Sequence, residues 1–128
     1  MLDTDVVIAA LDRRDAHHRH AAEAVSTMID DRVDLLISMI NYAEALVRPA
    51  DEEGTLRAAV DAIASLGIRP IAPTAAIARD AARHRSLNVN LADGFALATA
   101  HARSASVASF DHRVRRAMSD LDLPDALS

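Results

Sequence analysis

Leu91-Ala92-Asp93-Gly94-Phe95-Ala96-Leu97-Ala98-Thr99-Ala100-His101-Ala102-Arg103, followed by Ser104-Ala105-Ser106-Val107-Ala108-Ser109-Phe110-Asp111, decides how the chain is read. The first part spells a helix that is apolar on nearly every side, which belongs inside a fold and not on its surface. The second part spells a tight connection and a short buried strand. One carboxylate opens the helix and another stands just past the strand. A carboxylate on a buried helix is costly to dehydrate unless something compensates its charge. The two acids therefore mark a candidate active site.

Outward from this stretch, strands and helices alternate. Met1 to Asp3 reads as the end of a first strand and Thr4 to Leu11 as a short apolar helix. Asp15 is placed to cap a helix from Ala16 to Met28, with Ala21, Ala22, Val25 and Ile29 on its inner face. Val33 to Ser38 is a nearly unbroken apolar run, the pattern of a strand covered on both faces. Met39 to Val47 resumes helical spacing, and Pro49 stops it. Asp51 to Leu66 is a helix carrying Leu56, Val60, Ile63 and Leu66, ended by Gly67. Ile68 to Ile71 is a strand, Thr74 to about Arg85 a helix, and His112 to Met118 a basic helix. A last strand is expected near Leu121 to Leu123. This order predicts an α/β fold: a three-layer α/β/α sandwich around a mainly parallel sheet of four or five strands, as one domain over residues 1–128.

Composition narrows the function. Hydrophobic residues make up 51% of the 128 and charged residues 26%, which fits a soluble globular domain and not a disordered chain. No apolar run approaches the ~20 residues of a membrane span, and Asp3 and Asp5 stand where a basic leader would be. A cytoplasmic location is expected. Cysteine is absent, so disulfides, thiolate metal sites and cysteine nucleophiles are excluded together. All 14 basic residues are Arg and the net charge is −5, so any contact with nucleic acid must rest on a local Arg cluster.

Four acids carry the chemistry. Asp3 and Asp111 follow strands, Glu44 lies on the helix after the second strand, and Asp93 begins the apolar helix. Each alone has an ordinary explanation as a helix cap or a solvent-facing residue. Together they fall at the carboxyl edge of a parallel sheet, where open α/β folds bind ligands. Acids gathered there repel one another unless one takes up a proton or a cation joins them. A hard divalent ion, Mg²⁺ before Ca²⁺ or a purely structural cation, suits an oxygen-only donor set. Such an ion activates water and steadies the leaving oxygen of a phosphodiester.

Leu2-Asp3-Thr4 before an apolar helix, Glu44, Leu91-Ala92-Asp93-Gly94-Phe95-Ala96-Leu97-Ala98-Thr99-Ala100 and Ser109-Phe110-Asp111 together resemble a PIN-domain ribonuclease, most nearly the VapC-type toxin of bacterial toxin–antitoxin pairs. The resemblance covers nearly the whole chain. It implies an endoribonuclease dependent on Mg²⁺ or Mn²⁺, with Asp3, Glu44, Asp93 and Asp111 as catalytic acids and metal ligands. It implies supporting contacts from Thr4 and Ser109. Asp5 stands where such toxins more often carry Ser or Asn, and it can perturb or join the cluster. The resemblance further implies an RNA substrate, a VapB-type antitoxin and a homodimer. Gly94, where Ala is common, costs roughly 1 kcal/mol of helix propensity.

Arg113, Arg115 and Arg116 follow Asp111 and are candidate RNA-phosphate contacts. Arg79, Arg83 and Arg85 read better as a solvated face, and His17, His18 and His20 as a solvated helix start. His101 and His112 read as surface residues. With only Tyr42, Phe95 and Phe110 aromatic, a base-stacking platform is not expected. Phosphatases of the Asp-x-Asp kind, receiver domains and P-loop proteins lean on a Lys, which this chain lacks. The remaining alternatives are a catalytically silent PIN-like module that binds RNA or protein, and a housekeeping RNA-processing nuclease.

Overall fold

The computed structural model describes residues 1–127. Its elements are α1 (Thr4–Leu11), α2 (His18–Asp30), β1 (Leu35–Ser38), α3 (Met39–Leu46), α4 (Glu53–Ser65), β2 (Ile68–Ile71), α5 (Ala75–Arg83), α6 (Leu91–Ala102) and α7 (His112–Asp120). Short 3₁₀ turns at Pro49–Asp51 and His84–Leu87 lead into α4 and out of α5.

Only β1 and β2 have ladder length among the described residues; they pair in parallel, Leu35 opposite Ile68 and Ser38 opposite Ile71. Three further extended segments continue the sheet by single bridges. Leu2 N donates to Leu36 O at 2.7 Å, and Leu2 bridges Ala108 in parallel. Val107 in turn bridges Asp125 in parallel. The spatial order is therefore β2, β1, the segment around Leu2, the segment around Val107 and the segment around Asp125. The parallel α/β expectation holds, with most strands reduced to bridges.

Side chains of β1 alternate between two cores, as the two-residue period of a strand requires. Leu35 and Ile37 pack with Val6, Val7, Ala21, Val25, Ala45 and Ile63 on one side. Leu36 packs with Leu97, Ala100, Val107, Val114 and Ala117 on the other. Helices cover both faces, which gives the three layers. α6 is the innermost helix: Gly94 and Ala96 through Ala100 are all buried. Gly94 has a packing reason, since a Cβ there would lie 2.8 Å from the backbone oxygen of Ala81 on α5.

Several boundaries differ from the sequence reading. Asp15 does not cap a helix starting at Ala16; its carboxylate accepts from His17 N in a turn, and α2 begins at His18. Ile29, expected inside, is exposed, whereas Ala21 and Val25 face the core. β1 starts at Leu35 instead of Val33. Arg32 adopts a left-handed conformation and Val33 N bonds Met28 O to close α2, which leaves Val33 51% exposed. α4 begins at Glu53 because Pro49–Asp51 forms its own turn. The expected last strand at Leu121–Leu123 is a turn. α7 runs on to Asp120, Asp122 turns left-handed, and Leu123 N bonds Met118 O, so pairing starts only at Pro124. Gly67 ends α4 at φ +75, as expected of a terminating glycine. Among the described residues no helix is long and apolar enough to cross a membrane.

Candidate functional site

Asp3 sits at the junction of the first extended segment and α1. It is 3% exposed. Its Oδ1 caps α1 by accepting from Thr4 N at 2.9 Å and takes a longer contact from Asn41 Nδ2 at 3.3 Å. Its Oδ2 accepts from Ser109 Oγ at 2.7 Å. The first and fourth extended segments, side by side in the sheet, bring Asp3 and Ser109 together. Ser109 Oγ also accepts from Asp111 N at 3.1 Å, which fixes the turn into α7.

Glu44 reaches the same place from α3. It is exposed, and its Oε1 accepts from Thr4 Oγ1 at 2.7 Å. Asn41, one turn earlier on α3, is fully buried and donates to Thr4 Oγ1 at 3.0 Å as well as to Asp3. Ser38 caps α3 and holds the Asn41 side chain through a short hydrogen bond. The sequence reading passed over Asn41. Its signal was there: it stands three residues after a capping Ser and three before Glu44, on the helix face that Glu44 shares.

Asp93 opens α6, whose start is capped by Asn90 Oδ1 accepting from Asp93 N at 2.8 Å. Asp111 caps α7, its Oδ1 accepting from Arg113 N at 2.7 Å and Val114 N at 3.3 Å. The ordinary explanation of Asp111 as a cap is therefore real, and Asp93 stands in a first turn that Asn90 caps. Neither removes the acids from the site, because their charges act on one another.

Burial, with Asp5 and then Asp93 nearby, pushes the Asp3 carboxyl up to about 7 despite the help of Ser109 and Thr4. Burial, then Asp111 and Glu44, pushes Asp93 up to about 6. Asp5 is also raised, first by burial and then, among the charges, by Asp111. Five acids thus share one field. Asp5 Oδ2 accepts from Phe110 N at 3.0 Å, but its Oδ1 is buried with no hydrogen-bond partner among the described residues.

Among the described residues no three acidic or imidazole groups close around a common point as metal ligands. Asp3, Glu44 and Asp111 each accept hydrogen bonds from donors of their own. The donor set nevertheless fits a hard divalent ion: it is all oxygen, it carries uncompensated charge, and one buried oxygen lacks a partner.

The basic cluster divides. Arg115 is committed, its Nη1 donating to Ser109 O at 3.2 Å and its Nη2 pairing with Asp125 Oδ2 at 2.6 Å. Arg113 and Arg116 are exposed on α7. Arg83 pairs with Asp80, and Arg85 donates to Val89 O at 2.8 Å, in keeping with structural roles.

A family model described as the PIN domain matches residues 1–118, and the chain belongs to that family. Two solved structures share its fold. One is the crystal structure of FitAcB from Neisseria gonorrhoeae, at 22% identity and TM-score 0.68, covering 97% of this chain and 94% of that one. The other is the structure of FitAB bound to an IR36 DNA fragment, at 23% identity and TM-score 0.70, covering 99% and 94%. No curated protein matches the chain.

Proposed function

We propose that this PIN-domain chain is a metal-dependent endoribonuclease, and that it acts as the toxin of a VapC-type toxin–antitoxin pair. The observation that carries the reading is Asp3: a buried carboxylate held by two side-chain donors yet left short of positive charge, in the field of Asp5 and Asp93.

Asp3, Asp93 and Asp111 would hold Mg²⁺ or Mn²⁺, with Glu44 bound directly or through water. The ion, when bound, supplies an activated water and neutralises charge on the leaving oxygen. The chain supplies the rest. Ser109 and Asn41 aim the two oxygens of Asp3, and Thr4 aims Glu44. Asp5 adds a fifth negative charge. Arg113 and Arg116 would meet RNA phosphates, while Arg115 steadies the Ser109 turn. A VapB-type antitoxin and a second copy of the chain are the proposed protein partners. With a net charge of −5, this chain is poorly suited to hold DNA itself, so DNA contact in such a pair falls to the antitoxin.

The test is RNA cleavage by the purified protein in Mg²⁺ or Mn²⁺ against EDTA. Activity should be lost in Asp3→Asn, Glu44→Gln, Asp93→Asn and Asp111→Asn. A wild-type protein that binds RNA but cleaves none under any divalent condition would instead be a silent binding module.

A further inference from the structure

Three rings stand together at the rim of the acid cluster. Phe110 lies between Ser109 and Asp111, and its N–H holds Asp5. The His17 ring sits edge-on to it, with centroids 4.6 Å apart and planes at 67°. The His20 ring is tilted against it at 5.2 Å and 49°. Both imidazoles lie at the start of α2 and are exposed, whereas Phe110 is half-buried. The packing counters their rotational freedom and leaves ring surface open to solvent. His17 packs on Phe110, whose N–H holds Asp5, so its ring stands near the acids.

We propose that His17 and His20, backed by Phe110, form a stacking subsite for one unpaired base of the RNA, next to the phosphodiester held at the acid cluster. The subsite rests on the nuclease reading above. A flat base is the fitting ligand because unpaired RNA bases stack on phenyl and imidazole faces. Such stacking tolerates any base, so the subsite sets the register of the strand without reading its sequence. Residue type alone does not reveal it: the three His resemble one solvated group until two of them are seen against Phe110.

The test pairs protein variants with altered RNA. A single-stranded RNA with a mapped cleavage site is made with one abasic nucleotide at each position flanking that site. For the wild-type protein, one abasic position should raise KM roughly tenfold. The double variant His17→Ala/His20→Ala should show the same rise on intact RNA and no further rise on that abasic RNA, a coupling that a general loss of structure would not produce. His17→Phe/His20→Phe should restore the discrimination. The subsite is overturned if the double Ala variant discriminates as the wild type does. It is equally overturned if His17→Arg with His20→Ala restores KM and His17→Phe/His20→Phe does not, which would mean a phosphate contact. Wild-type cleavage indifferent to every abasic position sinks the subsite alone; absence of any wild-type cleavage sinks the nuclease reading with it.

Discussion

Ser109 Oγ donates to Asp3 Oδ2 at 2.7 Å, joining residues 106 positions apart. The bond favours the charged form of Asp3 against burial, which favours the neutral form. Ser109→Ala should therefore destabilise the metal-free protein by about 1–3 kcal/mol at pH 8, where Asp3 is ionised. The loss should be smaller at pH 5, where Asp3 carries its proton. Urea unfolding in EDTA at the two pH values measures the difference.

Asp3 at about 7 and Asp93 at about 6 both lie above the ordinary 3.8 of the unfolded chain. Between these limits the folded state binds more protons than the unfolded one, so stability falls as pH rises. The full contribution should be present below about pH 4 and lost as pH passes through 6 to 7. For Asp3 the loss is on the order of 2–4 kcal/mol; for the more exposed Asp93 it is smaller. Melting temperature against pH in EDTA should show the decline from about pH 4 to 6, above which the buried Met1 amine, lowered to about 6, contributes in the opposite direction, and saturating Mn²⁺ should flatten it.

Asp3→Asn should separate stability from activity. Removing the buried charge should raise the melting temperature in EDTA at pH 8 and abolish stabilisation by Mn²⁺. On the proposed role of Asp3 as a metal ligand, RNA cleavage should drop by roughly a hundredfold or more, since such a ligand contributes several kcal/mol of charge stabilisation. A variant no more stable than wild type without metal would show that Asp3 is not under electrostatic load.

Gly94→Ala should destabilise the fold even though Ala is the better helix former. Its Cβ would meet Ala81 O at 2.8 Å, so α5 and α6 would have to move apart. Overpacking of this kind costs about 1–3 kcal/mol, which equals at its lower end and otherwise exceeds the roughly 1 kcal/mol of helix propensity gained; contact with backbone, which cannot swing aside, puts it above that end. Denaturant midpoints of the two proteins decide it.

The three arginines after Asp111 should behave differently. Arg113→Ala with Arg116→Ala should weaken RNA binding and lower its salt dependence, by about 0.7 in the log–log slope for each phosphate no longer neutralised. It should leave the melting temperature alone. Arg115→Ala removes a partly buried ion pair with Asp125 and the bond to Ser109 O, and should lower the melting temperature.

Local pattern was enough to place α1, α3, α6, α7 and β2, because their apolar spacing, caps and terminators agree with one another. The same pattern marked the acids, since Asp3 and Asp111 follow apolar runs and Asp93 opens a helix too apolar for a surface. It failed at the last strand, where the length of α7 and the left-handed Asp122 set the register. At Asn41 it puts the side chain on the face of Glu44 but does not give its partners, Thr4 and Asp3, 37 and 38 positions away.

The sequence by itself determined the α/β order, the absence of thiols and the dominance of Arg, because each is written in residue type or short-range spacing. Tertiary structure alone decided that Ser109 meets Asp3, that Arg115 is committed to Asp125, and that His17 and His20 pack on Phe110. Those contacts arise where separate extended segments and helix ends converge at one edge of the sheet. No periodicity within a single element encodes which side chains meet there.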